Sequence, residues 1–149
     1  MSFPNPPEWG TTTHPEVVKE LTILCLKAGA ASVLVLDNPL RSAELCLERS
    51  GVRSVCEGIS QSRVESITQS DLFKEIRVPK GKALTSTMVM KQALEADVLI
   101  AAPVAKSHSA SGVSLALKGM MGLIYDRKTF HMDLDPFLHI AYGPSLLQA

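Results

Sequence analysis

Lys106 and His108 stand two residues apart within Pro103-Val-Ala-Lys-Ser-His-Ser-Ala-Ser-Gly-Val-Ser-Leu-Ala-Leu-Lys-Gly-Met120. An imidazole titrates near neutrality and can act as acid, base or metal ligand, and an ammonium beside it draws anions. Lys118 is the one charged residue between Gly112 and Ile124. A cation in such apolar company either snorkels to solvent or is aimed at an anion. Together the three basic groups suit a carboxylate or a phosphate ester, with His108 as the proton-transfer candidate. The plainer alternative for His108 is a hydrogen-bonding loop residue, and for Lys118 a solvated helix face.

Elements on either side must position these groups. Val98-Leu-Ile-Ala-Ala102 is an apolar run that reads as a buried strand. Residues 112–124 read as a helix with Val113, Ala116, Leu117, Met120 and Ile124 on its buried side. On that helix Ser111, Ser114, Lys118 and Gly122 would form a stripe of polar and small residues at spacings of three and four. Ser111 and Gly112 would then open the helix, and free N–H groups there make an anion seat. The glycine spacing matches neither a phosphate-cradling loop nor a dinucleotide fingerprint. Arg127 and His131, four residues apart beyond the helix, either close over the same site or lie on the surface.

The chain upstream supplies a second half. Thr13-x-x-Glu16 is a capping-box pattern with Pro15 in the first turn, and His14 is also placed to cap. Val17, Leu21, Leu24 and Ala28 share one helical face, and Gly29 ends the helix. Ser32 to Asp37 reads as a parallel strand covered on both faces. Ser42 to Ser50, stopped by Gly51, reads as a short helix. Val64–Ile67 and Glu75–Val78 read as short strands, Pro79 to Leu84 as a Lys-Gly-Lys turn, and Thr87 as the cap of a helix running to Ala96.

This alternation predicts an α/β layered domain with a mostly parallel sheet and flanking helices. Strands 32–37 and 98–102 would run parallel in one sheet, and ligands bind outside the carboxyl ends of such strands. Asp37 would then share a neighbourhood with Lys106 and His108, as the orienter of the imidazole or as acceptor for a ligand hydroxyl. Its alternative role is a turn residue ahead of Asn38-Pro39.

Composition narrows the function classes. The 149 residues carry no formal net charge, so a dedicated nucleic-acid or anionic-membrane binder is not expected. One Trp, two Tyr and four Phe are too few for an aromatic stacking platform. No apolar run approaches a membrane span, and the N-terminus lacks a signal pattern, which makes the cytoplasm the default compartment. Cys25, Cys46 and Cys56 form no C-x-x-C, so no iron–sulfur cluster or other cofactor is expected in this chain. Cys25 and Cys46 fit buried reduced thiols. Asp133, Asp135, His131 and His139 match no established metal-ligand spacing.

The chain resembles the domain of unknown function 362 family, whose members are often described as iron–sulfur centre proteins. The resemblance runs over residues 3–131. It rests on Pro4-Asn5, on Thr13-His14-Pro15-Glu16-Val17-Val18, and on Ala28-Gly29-Ala30 leading to Asp37. It continues through Ala96-Asp97-Val98-Leu99-Ile100 with Pro103, Lys106 and His108, then Leu117-Lys118-Gly119-Met120-Met121-Gly122 with Arg127 and His131. The resemblance implies an α/β domain with a basic, histidine-bearing site, in some relatives joined to a ferredoxin-like module. Relatives usually carry Lys where this chain has Phe3, and Lys-Asn where it has Lys118-Gly119. They also extend further at both ends, which implies a fragment or a reduced member.

Two expectations follow. In the first, Lys106, His108 and Lys118, with Asp37, form an enzyme-like or ligand-binding site for an anionic small molecule, with Ser111, Gly112, Arg127 and His131 in supporting contact. In the second, the chain is a non-catalytic partner of an iron–sulfur redox assembly or a homo-oligomer, docking through its apolar tail from Phe137 to Ala149.

Overall fold

The computed structural model describes residues 3–80, 85–108 and 112–127. Residues 81–84 of the Lys-Gly-Lys turn, Ser111, Lys128, His131, Asp133, Asp135, His139 and the tail from Phe137 lie outside the described residues. The chain divides into two compact units, residues 1–68 and 69–149.

In the first unit, helix α1 (Pro15–Lys27) begins at His14, whose Nδ1 accepts a hydrogen bond from the Glu16 N–H at 3.3 Å. The cap is therefore His14 and not Thr13, while Pro15 occupies the first turn as expected. Strand β1 (Val33–Asp37) pairs in parallel with β2 (Ser62–Ser66), in a register running from Val33↔Ser62 to Asp37↔Ser66. Helices α2 (Ala43–Ser50) and α3 (Val52–Cys56) form the crossover between them. Parallel strands require such a crossover, and helices supply it. Gly51 divides α2 from α3 at φ 70°, a left-handed conformation open to a residue without a Cβ. The same conformation at Gln61 (φ 65°) turns the chain into β2, and its carbonyl accepts the Val33 N–H at 2.9 Å.

Cys46, Leu47, Val52 and Cys56 are buried among the helices, together with Thr22 of α1. Burial raises the Cys56 thiol, against the opposing influence of a hydrogen bond with Thr22, so it remains a protonated packing group. Cys46 fits its expected buried state, whereas Cys25 is half-buried, and none of the three forms a disulfide among the described residues. Two expectations are corrected here. Every residue of β1 is half-buried, so the strand is not covered on both faces. The stripe through Val17 and Leu24 faces outward, with Leu24 58 % exposed, because α1 packs on α3 through its other side.

The second unit is built from antiparallel pairs. Strands β3 (Phe73–Arg77) and β4 (Ser86–Met90) pair from Phe73↔Met90 to Arg77↔Ser86. Ile124 adds a third rung through its bridge to Val89, and the Tyr125 N–H donates to the Met88 carbonyl at 3.0 Å. Val78, Met121 and Ile124 cluster beneath with Ile76 against them, and the Phe73 and Tyr125 rings meet tilted at 5.1 Å. The helix expected over 87–96 is a strand followed by one short helix, α4 (Lys91–Glu95). Met88, Val89 and Met90 stand opposite Glu75, Lys74 and Phe73 of β3, and Lys91 Nζ donates to the Asp71 carbonyl at 2.7 Å.

Two further expectations are overturned. Residues 98–102 pair with no strand, and Val98 is 75 % exposed, so the sheet joining 32–37 to 98–102 is absent among the described residues. Residues 112–124 are not one helix. They form strand β6 (Gly112–Ser114), the single turn α5 (Ala116–Gly119) and a 3₁₀ turn (Met120–Leu123). The chain is α/β, and among the described residues one parallel pair stands beside two antiparallel ones. No described helix is long and apolar enough to cross a membrane.

Candidate functional site

Strand β5 (Lys106–His108) pairs antiparallel with β6, placing Lys106 opposite Ser114, Ser107 opposite Val113 and His108 opposite Gly112. Side chains alternate across a ribbon, so Lys106, His108 and Ser114 share one face while Ser107 and Val113 share the other. Burial follows the same alternation. Ser114 is buried and Lys106 and His108 are half-buried, whereas Ser107 and Val113 are exposed. The basic residues thus occupy the covered face. Gly112 enters β6 at φ 72°, which a residue lacking Cβ adopts without steric penalty.

The chain then folds back through α5. Gly119 lies so close to Pro103 that an added Cβ would sit 2.9 Å from the Pro103 Cβ. The two ends of the 103–119 segment are therefore packed together. Lys118, one residue earlier, is half-buried, and its Nζ donates to the Met121 thioether at 3.2 Å. A thioether sulfur is a weak acceptor for an ammonium. Burial pushes Lys118 below the ordinary lysine value, and the positive charges of Arg127 and then Lys106 push it further. Arg127, which is buried, and Lys106 are thus the cations whose charge reaches Lys118. Among the described residues, no carboxylate is a cause of that shift.

Residues 1–141 match the domain of unknown function family DUF362. The chain belongs to this family. No curated protein and no solved structure matches it.

Within this DUF362 chain the candidate residues fall in both units. Lys106, Lys118 and Arg127 come together, with His108 on the same ribbon face as Lys106. Asp37 lies at the end of β1 in the first unit, its carbonyl accepting the Ile67 N–H at 2.9 Å. The strand pairing that tied it to the basic residues is not formed. Gly112 opens a strand, so the helix N-terminus expected there, with its free N–H groups, is not formed. The stripe through Ser114 and Lys118 is likewise broken, because Ser114 is on β6. Ser111 and His131 are outside the described residues. Among the described residues no group of three or more His, Cys, Asp or Glu could hold a metal ion.

Sequence reasoning did not find the Lys118–Met121 contact or the approach of Gly119 to Pro103. A glycine directly after the lone lysine was the one visible sign of close packing there.

Proposed function

We propose that the second unit is a ligand-binding or enzyme-like domain for an anionic small molecule, held by Lys106, Lys118 and Arg127. The observation that carries this reading is Lys118: a half-buried ammonium with a thioether acceptor, surrounded by like charges. Such a cluster lowers stability in the free chain, and a bound carboxylate or phosphate relieves it. His108, on the covered face of the ribbon beside Lys106, is the group available for proton transfer to such a ligand. Asp37 is not part of this reading.

The test is titration with oxalate and inorganic phosphate, followed by calorimetry or by backbone amide shifts. Lys118→Ala should weaken binding by about 1.5–3 kcal/mol, the range for charge-assisted hydrogen bonds. Lys74→Ala, an exposed position on β3, should change it by about 0–1 kcal/mol. Equal effects of the two substitutions would overturn the assignment.

A second reading makes the chain a non-catalytic subunit of a larger assembly. It is favoured by the run at Val98, Leu99 and Ile100, which are 75 %, 37 % and 52 % exposed without a strand partner. A monomer by light scattering at high concentration counts against self-association through that run.

A further inference from the structure

Met121 Sδ accepts a hydrogen bond from Lys118 Nζ at 3.2 Å. The methionine is 8 % exposed and belongs to the cluster of Val78 and Ile124, with Ile76 against it. Its partner lysine is half-buried, so the sulfur lies one hydrogen bond from a group that reaches water. A thioether is a weak acceptor for an ammonium. A sulfoxide, the product of methionine oxidation, places an oxygen on the same side chain, and hydrogen bonds from an ionised donor to oxygen are among the strong ones. Methionine has three rotatable bonds, which let such an oxygen turn towards Nζ. Burial and like charges oppose the Lys118 ammonium, and an oxygen at this place answers that burden better than sulfur does.

We propose that Met121 is a site of oxidation by hydrogen peroxide, and that its sulfoxide forms beside the Lys118 ammonium and is held by it. The inference stands apart from the anion-site reading. A sulfur lone pair forms the S–O bond to one peroxide oxygen as the O–O bond breaks. The second oxygen departs with the bonding pair, takes the proton of the first through a solvent water, and leaves as water. Thioether plus hydrogen peroxide becomes sulfoxide plus water; sulfur loses two electrons and the peroxide gains them. The ammonium is not consumed. It faces the negative charge that builds on the peroxide oxygens, and afterwards donates to the sulfoxide oxygen. Exposure alone gives a different ranking: Met88 and Met120 are half-buried and come before Met121, with Met90, at 0 % exposure, last.

The experiment treats the full chain with hydrogen peroxide, quenches samples over time, and follows each methionine by peptide mapping with fragmentation that separates Met120 from Met121. In wild type, Met121 sulfoxide is expected to accumulate at least as fast as that of Met88 and Met120. Met121 oxidising after both of them overturns the proposal. Lys118→Leu should slow Met121 by about tenfold relative to Met88 in the same sample, the modest end of what removing one preorganised donor does. Lys118→Arg, which keeps a cationic donor, should restore most of the rate. A lysine that merely shields the sulfur gives the opposite sign, so an unchanged or faster Met121 in Lys118→Leu also overturns it. The ratio to Met88 separates loss of the ammonium from general loosening of the unit, and the wild-type order tests the proposal even where Lys118→Leu does not fold. Holding of the product is read from Tm: oxidation of Met121 should lower it less in wild type than in Lys118→Leu, and equal losses would show that the ammonium does not hold the sulfoxide oxygen.

Discussion

The two units handle charge in opposite ways. In the first, charge meets opposite charge at the surface: Arg53 reaches Glu44 and Glu57, and Lys19 lies 3.1 Å from Glu16. The hydrogen bond to Glu44 raises Arg53 further above its already high value. In the second, Lys118 is drawn partly out of water and set beside Arg127 and Lys106, which lower it. A fold that only had to be stable would favour the first arrangement. The second is the arrangement on which the proposed anion site rests.

The largest expected effect tests whether both units have a true core. Phe73→Ala removes a ring that is 3 % exposed and stacked near Tyr125, and should cost about 3–5 kcal/mol in urea denaturation. Leu47→Ala in the first unit, at 2 % exposure, should cost about 2–5 kcal/mol. Similar losses sharpen the comparison, since charge and not packing then separates the units. A Phe73→Ala loss near zero breaks it.

Gly119→Ala comes next. Its backbone, at φ −60°, suits any residue, and a helical turn ordinarily gains about 1 kcal/mol from such a change. The approach of Pro103 at 2.9 Å reverses the sign, so the variant should lose about 1–3 kcal/mol by overpacking. Pro103→Gly in the same chain should restore part of the loss. A stabilised Gly119→Ala would show that the 103–119 segment is not closed on itself.

The alkaline side of the stability profile probes Lys118 directly. Its folded-state value is lowered from 10.5, so between the folded and the ordinary value the unfolded chain holds more protons. Stability therefore rises with pH through that window. Below it the like-charge burden is fully present, and above 10.5 it is gone. Lys118→Met carries no such burden, so its advantage in Tm over wild type should shrink as pH approaches 10.5. A constant gap would place the ammonium in solvent and erase the contrast.

The smallest effect is expected in the first unit. Glu44→Ala breaks an ion pair whose carboxylate side chain is 72 % exposed, and should change stability by about 0.2–1 kcal/mol, less in high salt.

These elements differ in how legible they were. Helix α1 announced itself through Pro15 and a polar cap, α2 through the Gly51 stop, and β1 through five residues of apolar strand. Each carries its signal locally. The misread segments carry a local pattern that distant partners override. Val113, Ala116, Leu117, Met120 and Ile124 have helical spacing, yet pairing of 112–114 with 106–108 and of Ile124 with Val89 breaks that period. Met88 to Met90 have no alternation, and only β3 makes them a strand. Val98 to Ala102 have the composition of a buried strand, yet they belong to no strand among the described residues. Lys106, His108 and Lys118 stood out because charge in an apolar stretch is visible without any fold. The ribbon that carries Lys106 and His108 depends on pairings that no window of sequence contains.

The rung between Val89 and Ile124 has a further meaning. It ties the neck of a loop that contains α4, the exposed apolar run, the basic ribbon and Lys118. The entropy of closing a loop grows only with the logarithm of its length, so doubling it costs about 0.6 kcal/mol. The neck can therefore hold while residues are added or removed beyond the ribbon. A segment built this way can change what it binds far more readily than it can lose its shape, and an insertion after Glu95 should leave the β3–β4 pair intact while resetting the ground on which the cations stand.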